Sequence, residues 1–245
     1  MKLPRLLALS AALVLTAAPL RAGEPTPSEV EQIQTIVRDY LRQHPEVIVD
    51  AIKEYQARQA AAETAKARQT IASLKAEIFE DPADPVGANP AGDVTIVEFF
   101  DYRCPYCKAV APDLAKTLAS DGKVRLVYKE FPILGPASVT AAKAALASMA
   151  QNKYALFHDK LMAHKGNLDD AAVFQIAGES GLDVARLKAD MERPGIRDAI
   201  DRNYKLADKL DIQGTPAFII GGELLPGAAT PEELAAAIKR ARTGG

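Results

Sequence analysis

Val94-Thr95-Ile96-Val97-Glu98-Phe99-Phe100-Asp101-Tyr102-Arg103-Cys104-Pro105-Tyr106-Cys107 carries the only two cysteines of the 245-residue chain. From Val94 to Phe100 every residue except Glu98 is β-branched or aromatic, the composition of a buried strand. Pro105 then suits the first turn of a helix, where its missing N–H has no intrahelical partner to lose. A Cys-x-x-Cys pair where a strand turns into a helix reads as a reactive dithiol. As a staple it would add little, because it closes a far shorter loop than the fifteen residues that give about 3 kcal/mol. Structural zinc would need four Cys or His ligands, and only His44, His158 and His164 remain, all remote in sequence. Redox chemistry is the preferred reading, with half a zinc site or an inert pair as the alternatives.

A sulfur at a helix start faces free backbone N–H groups and the positive end of the dipole, both of which favour its anion. Cysteines of this kind ionise at about 3.5–7.5 instead of near 8.5. Cys104 is therefore expected to attack and to leave. Cys107, one turn further on the same side, is expected to be more buried and to act as the resolving thiol. Lys108 is read as an exposed helix lysine, or as a cation assisting the sulfur. Pro112, inside the same helix, is expected to bend it.

Working outward, a helix is expected over 105–118 and a second strand over 123–131, a parallel pair with a helical crossover. Residues 137–210 are helical in character, with breaks near Lys165-Gly166-Asn167, Ser180-Gly181 and Pro194-Gly195. A strand over 216–220, a turn at Gly221-Gly222, a short strand over 223–225 and a helix over 231–242 complete the chain. Upstream, 81–92 is dense in Pro, Gly, Asp and Asn and reads as a linker.

The first residues, Met1 to Arg5, are basic, and Leu6 to Ala18 are apolar, too few for the ~20 that span a bilayer. This is the pattern of a secretory signal peptide over 1–22, cleaved after Ala22, and implies export. Ser28, with Glu31 three residues on, is the expected cap of a first helix. Val30, Ile33, Val37, Tyr40 and Leu41 paint one stripe on it, and His44-Pro45 ends it. A second helix is expected over 46–79, its stripe thin between Gln56 and Thr70. The expected domains are thus a leader over 1–22, a helical region over 23–80 and a catalytic domain over 81–245. The helical region is either an oligomerisation element or a solvated spacer. The near-neutral balance, 30 basic against 32 acidic residues, gives no nucleic-acid signature.

The run from Val97 to Lys108, together with Gly214-Thr215-Pro216-Ala217-Phe218, resembles the DsbA-like branch of the thioredoxin-fold thiol-disulfide oxidoreductases. With its helical extension the chain is most similar to the ScsC-like (suppressor of copper sensitivity) periplasmic disulfide isomerases. The resemblance implies an α/β thioredoxin-like fold with a helical insertion over about 137–210 and an all-helical N-terminal extension. It implies a cis proline at Pro216 facing the dithiol, with Thr215 pairing with extended substrate. Glu98 matches a buried acid that assists proton transfer; read by itself, it is a strand glutamate facing water. Tyr106 is expected to be the exposed aromatic of an apolar rim, which could also draw on Phe99, Phe100 and Tyr102. No cofactor is expected besides the redox-active Cys104–Cys107 disulfide. The expected partners are unfolded or wrongly disulfide-bonded exported proteins, a membrane redox partner, and further copies of the chain as a homo-oligomer, with a trimer suspected. A monomeric dithiol oxidase and a copper(I)-binding thiol protein remain alternatives. His44, His158 and His164 are expected to do no chemistry.

Overall fold

The computed structural model describes residues 25–244; the expected leader lies outside them. The chain divides into two compact units, one reaching to Ala57 and the other beginning at Arg58.

In the first unit, α1 (Pro27–Gln43) is capped by Thr26 rather than Ser28. Thr26 Oγ1 accepts from Glu29 N, and Glu29 Oε2 accepts from Thr26 N at 2.7 Å. Both registers offer the spacing of a capping box, but only this one puts a proline, Pro27, at the first helical position. No residue of α1 is buried, and Ile33, Ile36, Val37 and Tyr40 are each more than half exposed. The division point falls within α2 (Pro45–Ser73). The expected second helix is interrupted at Leu74, and α3 (Lys75–Phe79) follows.

The second unit is built on a mixed sheet. Its strands are β1 (Val86–Ala88), β2 (Val94–Phe100), β3 (Val124–Glu130), β4 (Ala217–Ile220) and β5 (Glu223–Pro226), in the order β1-β3-β2-β4-β5. β2 and β3 are parallel and joined through α4 (Pro105–Asp121), while the other neighbours are antiparallel. β1 lies in the stretch expected to be linker. Three residues pairing with β3 carry too little pattern to stand out among prolines and glycines. Between β3 and β4 come α5 (Pro136–Ser148), α6 (Tyr154–Ala163), α7 (Asp170–Glu179), α8 (Val184–Met191) and α9 (Pro194–Lys209); α10 (Pro231–Thr243) ends the chain. The turn joining β4 and β5 uses Gly221 and Gly222 at φ 56° and 87°, the backbone of a tight hairpin. A Cβ on Gly221 would also lie 2.3 Å from Ala241 Cβ.

Both faces of the sheet are covered. Alternation sends Ile96, Glu98 and Phe100 toward α4, α10 and the insertion, and Val97 and Phe99 to the opposite face. On that opposite face Ile71 of α2 and Ile78 of α3 are buried together with Leu206 and Leu210. Residues 58–80 therefore belong to the catalytic unit, not to the N-terminal region that was expected to run to residue 80. The apolar stripe that thins after Gln56 resumes at Ile71 because this part of the chain packs on the sheet.

Candidate active site

Cys104 is the N-cap of α4, in extended backbone at φ −71° and ψ 119°, with Pro105 at the first helical position. Its N–H donates to Asp101 O at 3.0 Å and its carbonyl accepts from Lys108 N at 3.1 Å, so the sulfur sits on the first turn. The thiol donates to Thr215 O at 3.2 Å. The Thr215–Pro216 peptide is cis, which brings the start of β4 against the opening of α4. Both cysteines are free thiols; Cys104 is 4% exposed and Cys107 wholly buried.

The loop that carries the dithiol is held by Asp101, which sequence reasoning left without a role. Its carboxylate accepts from Arg103 N at 2.7 Å, Leu134 N at 2.9 Å and Ser138 Oγ at 2.8 Å. One buried side chain thus ties the approach to Cys104 to the segment after β3 and to α5. Its local signal was the turn-forming habit of Asp, whose carboxylate pairs with the backbone N–H two residues on.

Glu98 lies on the α4 face of β2, opposite Tyr128 of β3 and Phe218 of β4, and is 2% exposed. It does not face water. Burial pushes its carboxyl up to about 8. Burial likewise raises the Cys107 thiol, and negative charge on Glu98 adds to that rise. An acid that keeps its proton near neutrality therefore lies close enough to the Cys107 thiol to alter its ionisation.

Of the four aromatics considered for an apolar rim, only Tyr106 is exposed, at 66%; Phe99, Phe100 and Tyr102 are core. Both phenylalanines are buried because the sheet is covered on both sides. Ile133 and Leu134 are also partly exposed, and Arg103 Nη1 donates to Leu134 O at 2.9 Å, which places them beside the dithiol loop. Lys108 is half-buried rather than exposed. Its Nζ donates to the carbonyls of Leu161, Met162 and His164 at 2.8, 3.2 and 3.0 Å, closing the C-terminal end of α6. Burial lowers its affinity for the proton.

His158 sits in a buried polar cluster. Tyr102 Oη lies 3.0 Å from His158 Nδ1 and donates to Glu130 Oε1 at 2.9 Å, and Tyr154 Oη donates to the same oxygen at 2.8 Å. Burial drives His158 down to about 3, so the ring is neutral, and it raises the Glu130 carboxyl well above the usual range. His164 Nε2 is 3.3 Å from Asn167 O, and His44 Nδ1 is 3.1 Å from Glu46 at the end of α1. Among the described residues no group of three or more His, Cys, Asp or Glu is placed to hold a metal ion, and no helix is long and apolar enough to cross a membrane.

Residues 95–239 match the DSBA-like thioredoxin domain, and residues 29–62 match the N-terminal domain of the copper resistance protein ScsC. A thioredoxin-like oxidoreductase from Silicibacter pomeroyi is 44% identical, covering 70% of this chain and 99% of its own, with a TM-score of 0.69. The catalytic domain of Proteus mirabilis ScsC is 30% identical, covering 72% of this chain and 98% of its own, at a TM-score of 0.67. The thiol:disulfide interchange protein DsbA of Bordetella parapertussis is 28% identical over 149 residues, 58% of this chain and 69% of that protein. The chain spans only 26% of the length of the first curated relatives it matches, two Na(+)/H(+) antiporters NhaA from Salinispora species. A dithiol at the start of α4, a cis proline against it, a sheet with an inserted helical layer and these matches agree: the chain belongs to the DSBA-like thioredoxin-domain family of thiol-disulfide oxidoreductases, and carries an N-terminal segment of the ScsC kind.

Proposed function

We propose that this protein is an exported thiol:disulfide interchange enzyme that reshuffles the disulfides of client proteins, acting as an oligomer. The observation that carries the reading is Cys104 Sγ at the first turn of α4, against the carbonyl of Thr215 and beside cis Pro216. An extended client segment laid along Thr215 presents its own sulfur to Cys104, with Tyr106 offering an apolar contact.

In the reduced enzyme the Cys104 thiolate attacks one sulfur of a client disulfide. A Cys104–client S–S bond forms, the client S–S bond breaks, and the released client thiolate takes up a proton. From this intermediate a second client thiolate can attack the client sulfur, leaving a new client disulfide and Cys104 as thiolate, with no net change of oxidation state. Alternatively Cys107 gives its proton to the ionised fraction of Glu98, which a carboxyl raised to about 8 still supplies near neutrality, and attacks Cys104 Sγ. The Cys104–Cys107 disulfide then forms, the client leaves as a thiolate, and the client has gained two electrons. The reverse sequence oxidises a client dithiol.

Isomerisation is favoured over simple oxidation by the exposed stripe of Ile33, Ile36, Val37 and Tyr40. So much apolar surface on one helix suits association, and several dithiols facing one client suit reshuffling. Export is supported by the leader pattern, and by a structural neighbour from Salmonella enterica described as a periplasmic thioredoxin-like protein. Recovery of a scrambled multi-disulfide substrate, measured beside light scattering for the native chain and for Ile36→Glu, tests this. An assembled native chain whose isomerase activity, but not its dithiol oxidation, falls in the dissociated variant is the expected result. A monomeric native chain with full isomerase activity would contradict it.

A further inference from the structure

Glu98 is buried, yet each exchange cycle that loads it with the Cys107 proton must also unload it. A pocket of about 240 Å³ opens from the floor at Glu98 to the surface between α4 and α6. Lys108 of α4, Tyr128 of β3 and His158 and Asp159 of α6 complete its set of titratable walls. We propose that this pocket is the proton path of Glu98 and that Asp159, at its mouth, exchanges that proton with solvent. The inference rests on Glu98 serving Cys107 in the proposed function.

Of the wall groups only Asp159 can take this part. Lys108 spends its ammonium on three carbonyls of α6. His158 is wholly buried and neutral, with Nδ1 engaged by Tyr102. Tyr128 pairs in register with Glu98, and its hydroxyl is held protonated first by burial, then by the charges of Asp159 and of Glu98. One phenol therefore feels both carboxylates, and all three line the same pocket. Asp159 belongs to an exposed residue position, and partial burial raises its carboxyl above the usual aspartate range. A base closer in proton affinity to Glu98 accepts from it more readily than water does. The pocket is large enough for several waters, and Glu98 and Asp159 offer them acceptors between walls that are otherwise mostly apolar.

Asp159 acts here through Glu98 and touches neither sulfur. The test is steady-state turnover of a dithiol peptide by the full chain, in dilute non-transferring buffer and then with rising imidazole, across pH 5–9. Asp159→Asn should slow turnover by about tenfold in dilute buffer, recover with imidazole, and leave Asp159→Glu close to the native rate. In Glu98→Gln the further change Asp159→Asn should have no effect, since the group it serves is gone. Native turnover by Asp159→Asn in dilute buffer, or a slowing that imidazole does not relieve, overturns the path while leaving the role of Glu98 intact. Native turnover by Glu98→Gln overturns that role, and the path with it.

Discussion

Replacing Glu98 by Gln should shift stability in the variant's favour by an amount that grows as pH rises from about 4.5 to about 8 and is constant beyond. The folded carboxyl holds its proton up to about 8, against 4.5 when unfolded. Its contribution is complete below 4.5 and is lost as pH rises through the interval to 8, because the folded state must either bind a proton or bury a charge. At about 1.4 kcal/mol per pH unit, the cost to the native protein is about 3 kcal/mol at pH 7 and about 5 kcal/mol above pH 8. Gln keeps the shape and cannot ionise, so its own burial cost is the same at every pH. Asp84, which burial raises to about 6, titrates in both proteins and cancels from the difference. Urea unfolding of the reduced native chain and of Glu98→Gln at pH 4, 7 and 9 gives the quantity directly. The advantage of the variant should widen by about 3 kcal/mol from pH 4 to 7, raising the midpoint of thermal unfolding at pH 7 by about 6–12 °C relative to that at pH 4. A difference that is flat from pH 4 to 9 would show that Glu98 is ionised in the folded protein, and the argument for its role would fail.

Ile78→Ala should cost about 3 kcal/mol in urea unfolding, because Ile78 is wholly buried under the sheet although it lies before the glycine- and proline-rich segment. Lys108→Met should cost about 2 kcal/mol, since it strips a charged donor from three carbonyls at the end of α6, and hydrogen exchange in 161–164 should rise with it. Asp101→Ala should lower both stability and exchange rate, since it releases the loop before Cys104 from Leu134 and Ser138; Asp101→Asn, whose one amide oxygen can accept from Arg103 N and Ser138 Oγ but whose NH2 cannot accept from Leu134 N, should recover only part of both.

The fold was legible where one physical signal dominated. The strand ending at Phe100, the helix opened by Pro105 and the turn at Gly221-Gly222 each follow from local preference, and the structure has them. The capping of α1 was misplaced by two residues because Thr26-Pro27-Ser28-Glu29 and Ser28-Glu29-Val30-Glu31 offer the same spacing, and only the preference of proline for the first position separates them. The limit of the catalytic unit was misplaced because Ile71 and Ile78 continue a helical periodicity whose partner, the far face of the sheet, is set by tertiary packing.

The dithiol was readable because Cys-x-x-Cys is local, whereas the apposition of Cys104 to Thr215 joins residues 111 positions apart and came only from resemblance. Lys108 was misjudged because its partners lie on α6, and nothing in the neighbouring sequence shows that an exposed-looking lysine will cap a distant helix. The rings that enclose His158, Tyr102, Tyr128 and Tyr154, are likewise set by tertiary packing.

The central claim is that Cys104, not Cys107, meets the client sulfur. Reduced native protein is mixed with less than one equivalent of a disulfide-containing peptide, quenched with acid, and the mixed disulfide is located by peptide mapping, with Cys107→Ser used to hold it. The geometry requires the peptide on Cys104, accumulating in Cys107→Ser and absent in Cys104→Ser. Peptide found on Cys107, or trapped equally well without Cys104, would contradict the account.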